Sequence, residues 1–181
     1  SSDDFVLQLI IDRSLVSDDA VDTLRADLEA TESIDSIDGA IIQKLLEDQQ
    51  LSSLQLAEIL ADESGSNLVR LQNFTPQAVV LQALDVQVVK RYKVFPLEMD
   101  DYELNVAVFD PLDIDAIDNI SHLVGRSVTT SAAPLDEIEL AIQKFYDAVD
   151  STSFFDESGD GEPTESEDEF ADSTADASEG E

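Results

Sequence analysis

The sequence predicts an α+β fold: an N-terminal helical bundle of two helical hairpins, a small three- to four-stranded sheet with flanking helices, and a disordered acidic tail. Three observations carry this. The first 65 residues repeat at an offset of 35, each time with a polar cap in front of an apolar helix. From Lys90 to Tyr146 the apolar period alternates between two and about 3.6, which is how a compact unit of strands and helices is written. From Asp150 onward there is no Val, Ile, Leu, Lys or Arg. The expected boundaries are 1–65 for the bundle, 66–149 for the α/β part of the same module and 150–181 for the tail.

In the first unit Ser17 precedes Asp18-Asp19 and the run Val21, Leu24, Leu28, so it is an N-cap with acids in the first turn. Ser52 stands in the same relation to Leu54, Leu56, Ile59 and Leu60. Ile10-Ile11 corresponds to Leu45-Leu46, Ser17 to Ser52 and Val21 to Leu56. Each unit reads as a helix, a short break and a capped helix, and two such hairpins pack as a small bundle.

Between bundle and sheet, Leu68, Val69 and Leu71 predict a short strand. Thr75-Pro76 predicts the cap and first position of a helix carrying Val79, Val80 and Leu84, and Asp85 begins a further turn or two through Val88 and Val89. Lys90, Arg91 and Lys93 form the one basic cluster. They could dock an acidic strip, but neutralising nearby carboxylates and a helix C-terminus explains them better.

Val94, Phe95 and Leu97 then read as a strand, Met99-Asp100-Asp101-Tyr102 as a hairpin connection, and Leu104, Val106 and Val108 as the buried side of a second strand. Asp110-Pro111 predicts a helix start with Asp110 as N-cap, and Ala116, Ile117, Ile120, Leu123 and Val124 then lie on one face. Gly125 should close that helix. Arg126 to Ala132 reads as a third strand, and Pro134 opens a last helix with Ile138, Ala141, Ile142, Phe145 and Val149 as its buried stripe.

The 181 residues are 43% hydrophobic, enough for a core, since a chain of ~150 residues buries about 70% of its unfolded surface. There is no cysteine, which removes disulfides and thiolate metal sites and fits a reducing compartment. No apolar run nears the ~20 residues of a membrane span, and the start SSDDF lacks the basic segment of a signal peptide. A cytoplasmic location is expected, with no direct membrane insertion. The missing initiator Met is what a segment of a longer protein would show.

The formal net charge is −33. The last 32 residues hold 13 acids and no base, leaving 29 acids against 9 bases before them. Such a field repels phosphate backbones and anionic lipid heads, so neither nucleic acid nor a membrane surface is an expected partner. An acid-rich, salt-adapted proteome would produce the same bias, and four lysines suit it. The tail cannot bury enough apolar surface to offset its ordering entropy. It reads as a self-repelling linker, with Phe154-Phe155 or Phe170 as a lesser candidate for docking.

Several blocks in order, KRYKVFPL, NVAVFDPLDIDAIDNI, LVGR and the terminal KFY, resemble the N-terminal (GspE/MshE-type) domain of type II secretion and type IV pilus assembly ATPases, over roughly Phe5 to Val149. The resemblance implies a non-catalytic docking module that attaches such an ATPase to an inner-membrane platform, in the type II case through the cytoplasmic domain of the L protein. Its location would then be cytoplasmic and peripheral to the membrane through partners. The family's tandem repeat commonly binds cyclic di-GMP through RLGxxLVxxGLI. Here the Arg and two Gly positions carry Phe5, Leu7 and Ser14 in one unit, and Ala40, Ile42 and Gln49 in the other. An Arg would stack on guanine or pair with phosphate, and Gly would let backbone N–H groups approach. Charge-assisted hydrogen bonds contribute roughly 1.5 to 3 kcal/mol each, so losing two costs on the order of a hundredfold or more in affinity. Cyclic di-GMP is therefore not an expected ligand, and no cofactor is expected.

No GxxxxGK[ST] occurs, so this segment is not expected to be an ATPase engine, and no catalytic residue is assigned. Asp110, Asp113, Asp115 and Asp118 lack the Gly and closing Glu of a calcium loop and read as caps and a solvated face. His122, four residues after Asp118, reads as a surface imidazole, and no metal site is assigned. The first helix carries Phe5, Val6, Leu9 and Ile10, more apolar surface than one stripe needs, with Arg13 beside it. Phe5, Leu9 and Arg13 are thus the candidate partner-binding residues, against the alternative that they close the bundle. A freestanding adaptor built on the same module is the third reading, distinguished by whether the gene encodes an ATPase domain beyond Glu181.

Overall fold

A computed structural model describes residues 2–31 and 34–147. Four helices open it: α1 (Ser2–Asp12), α2 (Asp18–Glu29), α3 (Ile37–Glu47) and α4 (Ser53–Ser64). Helices α3 and α4 begin and end 35 residues after α1 and α2, so the repeat read from sequence is a repeat of structure. Local chemistry sets each start. Ser17 Oγ accepts from the Ala20 N–H at 3.2 Å. Ser52 Oγ accepts from the Gln55 N–H while Gln55 Oε1 accepts from the Ser52 N–H, both at 3.4 Å, a reciprocal box. Ser36 caps α3 through the Gly39 N–H at 3.1 Å. Ile10, Ile41, Leu45, Leu56 and Leu60 are fully buried in the bundle core, each stabilising it by roughly 1.5–3 kcal/mol.

The α/β part comes next as α5 (Ala78–Leu81), α6 (Val86–Tyr92), β1 (Val94–Met99), β2 (Glu103–Val108), α7 (Ile114–Val124), β3 (Ser127–Ala132) and α8 (Leu135–Ile142), which runs on into a π-helical turn over Gln143–Asp147. The sheet order is β1-β2-β3, with β1 antiparallel and β3 parallel to β2. Beyond β3 the predicted strand at Leu68 contracts to one bridge to Ala132, where the Val69 N–H donates to the Ala132 carbonyl at 2.9 Å. The core is centred on Phe95, whose ring meets Phe74, Phe145 and Tyr146 at 6.5, 5.8 and 6.2 Å. The Tyr146 hydroxyl donates to the Leu81 carbonyl at 2.9 Å.

Four local expectations are corrected. The N-cap of α7 is Asp113, which accepts from the Ala116 N–H at 3.2 Å. Asp110 instead accepts from the Leu112 N–H at 2.9 Å, an Asx turn that delays the helix by three residues. Helix α5 begins after Gln77, without a side-chain cap, and not at Thr75-Pro76. Leu123 is 61% and Val79 56% exposed, so neither joins the core face assigned to it. In the last helix the π turn rotates Tyr146 inward and leaves Phe145 half-buried. Val149 and the tail, with Phe154, Phe155 and Phe170, lie outside the described residues.

Bundle and sheet meet along α4, which packs on β3 and α8, and at Phe109, which touches both apolar cores. Glu137, 6% exposed, fastens the connecting segment to α8. It accepts from Arg70 Nε and Nη2 at 2.8 and 2.6 Å and from the Leu71 N–H at 2.8 Å.

Candidate functional site

The two repeat turns share one backbone. Ser14 and Gln49, at the second Gly position of each repeat, have φ of 57° and 58°, the left-handed region that Gly occupies without strain. The Leu15 and Gln50 N–H groups return to the Ile10 and Leu45 carbonyls at 3.1 and 2.9 Å, closing α1 and α3 with the same six-residue loop. Both turns thus hold a backbone that favours Gly with non-Gly side chains in it. Of the other departures, Leu7 and Ile42 are buried in the bundle core, Ala40 is half-buried and Phe5 is exposed.

Helix α1 separates the candidate partner-binding residues. Phe5 is 48% exposed and Leu9 only 9%. Phe5 is available to a partner; Leu9 closes the bundle, and the α1 periodicity could not tell the two apart. Arg13 bonds Asp62 at 3.1 Å and lies 3.6 Å from Glu63, so it ties the end of α1 to the end of α4. Arg25 does the same between α2 and α3 through Asp38 at 2.8 Å.

A second feature has no local signature in the sequence. A cleft of about 510 Å³ lies between α1 and α3 on one side and the β2–α7 junction and α8 on the other. Val6, Ile42, Leu46, Phe109 and Leu135 form its apolar floor. Asp3, Glu47, Asp110, Asp136 and Glu139 rim it, with Lys93 as the cation in its lining. Burial pushes the Asp110 carboxyl above its ordinary pKa, opposed by its hydrogen bonds to Leu112 N–H and Ser2 and reinforced by Asp113 and Asp3. Helices α1 and α3 approach closely here: Asp3 Oδ2 accepts from Ser36 Oγ at 2.8 Å, and a Cβ on Gly39 would stand 2.7 Å from that oxygen.

The basic cluster is engaged internally. Lys90 reaches Asp147 at 2.8 Å, Lys93 reaches Glu139 at 3.4 Å, and Arg91 lies over the Tyr92 ring. His122 is exposed, as expected. Among the described residues no group of three or more His, Asp or Glu is placed to hold a metal ion, and no helix is long and apolar enough to cross a membrane.

Comparison with known proteins agrees with this architecture. Residues 64–152 match the MshEN domain. The type IV pilus assembly ATPase PilB of Acinetobacter baylyi is 27% identical over 114 residues, covering 63% of this chain and 19% of that protein. PilB of Pseudomonas aeruginosa is 24% identical over 110 residues, with 61% and 19% covered. The chain therefore aligns with about a fifth of the length of these relatives. In fold it is similar to the N-terminal domain of XpsE, with a TM-score of 0.63 at 22% identity over 79% of this chain and 94% of that one. It is also similar to MshE with cdg (cyclic di-GMP), with a TM-score of 0.58 at 16% identity over 78% and 98%. Residues 64–152 are thus an MshEN domain, in a chain whose fold is similar to that of the XpsE N-terminal domain.

Proposed function

We propose that this module is a non-catalytic docking and regulatory unit of a type II secretion or type IV pilus assembly ATPase, joined by protein–protein contact to the cytoplasmic domain of an inner-membrane platform protein. The carrying observation is the match to about a fifth of the length of such ATPases in a stretch with no phosphate-binding GxxxxGK[ST] of its own. A cytoplasmic position, peripheral to the membrane through the partner, belongs to the same proposal. Phe5 is the residue of α1 placed to take part, since interface energy concentrates in a few buried anchors. The test mixes the 181-residue chain with the purified cytoplasmic domain of the platform protein. A complex is expected, and Phe5→Asp should abolish it at unchanged melting temperature; no complex with the unsubstituted chain would defeat the reading.

A second reading, nucleotide sensing, is favoured by the paired left-handed turns at Ser14 and Gln49. The side chains argue the other way, because Phe5 and Ala40 stand where an Arg would pair with phosphate, and the net charge repels an anion. We infer that the chain has no specific cyclic di-GMP site at micromolar concentration. Calorimetry should show no saturable heat, and a saturable site abolished by changes at Phe5 or Ala40 would restore the sensor reading.

A further inference from the structure

We propose that the cleft between the bundle and α8 docks a basic amphipathic segment of a partner protein, its apolar side chains on Val6, Ile42, Leu46, Phe109 and Leu135 and its Lys or Arg side chains on the carboxylate rim. The inference deepens the protein-docking reading and rests on it. The choice of occupant comes from charge and from the floor. Rim carboxylates arrive from four places, Asp3 on α1, Glu47 on α3, Asp110 at the junction, and Asp136 and Glu139 on α8, while Lys93 is already held by Glu139 at 3.4 Å. An anionic nucleotide or lipid head is repelled there. A second copy brings the same negative charge, and residues 150–181 bring 13 acids and no base. A polyamine would satisfy the rim but leave the apolar floor unused. A helix or extended segment with cations flanking an apolar stripe uses both.

The depth of Asp110 adds a readout. Its carboxyl is half sunk beside Asp3 of α1 and Asp113 of its own loop, with Ser2 and the Leu112 N–H as hydrogen-bond donors and Lys93, Asp136 and Glu139 across the cleft. A docked cation favours the ionised form, so binding in mildly acidic buffer should release a proton from it.

The probe is a peptide of about 15 residues, Leu and Lys at helical spacing, titrated into the full chain at about 0.15 M salt, where exposed charges are screened beyond ~8 Å. Saturable one-to-one binding is expected. The pair Glu47→Lys and Asp136→Lys should weaken it at least tenfold, whereas Asp22→Lys and Asp27→Lys, the same charge change on the exposed side of α2, should weaken it less than threefold. Asp110→Asn should remove the proton release, measured as the dependence of binding heat on buffer ionisation. Equal loss from the two pairs, or none from either, would mean diffuse attraction to an acidic surface and would overturn the cleft assignment. If the platform domain binds but the peptide does not discriminate, docking stands and the cleft falls. The reverse result keeps the cleft as a peptide site and removes the platform reading.

Discussion

Ser14 and Gln49 stand 35 residues apart and hold the same left-handed backbone, φ 57° and 58°, at the end of α1 and of α3. Neither side chain is suited to it, since a Cβ crowds the next carbonyl in this region. Ser14→Gly and Gln49→Gly should therefore each stabilise the module by about 0.5–1 kcal/mol, even though Gly adds entropy to the unfolded chain. Thermal unfolding checks this, with a rise of roughly 1–4 °C for each change. A fall in either variant would show that the side chain makes a compensating contact.

The same two turns show what was legible in the sequence. The repeat could be read because caps are local: Ser17 and Ser52 bond N–H groups three residues on, so they sit at a fixed offset from the apolar run. The hairpin between β1 and β2 and the Gly125 stop are local for the same reason. Tertiary packing decided the parts that could not be read. Asp110 and Asp113 are equally good caps by composition, and the packing of Phe109 and Leu112 on the bundle accompanies the later start. The inward turn of Tyr146 depends on a π-helical turn that puts its hydroxyl on Leu81, 65 residues away. The cleft draws its floor from four separated segments, and periodicity along one helix carries no trace of it.

Glu137 is the most exacting polar position among the described residues. Removing its carboxylate strands the Leu71 N–H and frees the Arg70 guanidinium, whose pKa the Glu137 hydrogen bond raises. Glu137→Ala should cost about 2–4 kcal/mol, because a buried donor left without an acceptor bears its full desolvation penalty. Glu137→Gln, which keeps one oxygen for the Leu71 N–H, should cost about half as much. Urea unfolding of both variants decides; equal losses would place the stabilisation in the charge and not in the backbone bond.

Two aspartates should act oppositely on stability as pH changes. Burial raises the folded pKa of Asp110, so its ionised form is penalised in the native chain. That penalty operates above the folded pKa and is relieved as pH falls through it. Asp110→Asn should be more stable than the parent at pH 7, and the difference should shrink in acid. Asp100 accepts from the Tyr102 and Glu103 N–H groups at 2.8 and 2.7 Å, which hold its carboxyl below the usual range. Its stabilisation is full above the unfolded pKa and is lost as pH falls through the folded one. Asp100→Ala should be destabilised at pH 7 and converge on the parent in acid. Melting temperatures of the three proteins across pH 3–8 test both signs together.

Phe5 and Leu9 lie one turn apart on α1, yet they do different work. Leu9 is 9% exposed and packs in the bundle core, so Leu9→Ala should cost about 2–4 kcal/mol by leaving a cavity. Phe5 is 48% exposed and lies outside that core, so Phe5→Asp should shift stability by no more than about 0.5 kcal/mol. Its neighbours along the solvent side of the helix are Asp4, Gln8 and Asp12, all exposed, which makes Phe5 an isolated apolar group in an acidic face. A partner that buries the ring must also satisfy those carboxylates, so its surface should pair an apolar pocket with Lys or Arg. Binding to the platform domain should then be lost in Phe5→Asp, retained in Phe5→Leu, and weakened by salt. If Phe5→Asp unfolds the module as Leu9→Ala destabilises it, or if binding survives the change, the contact lies elsewhere on the surface.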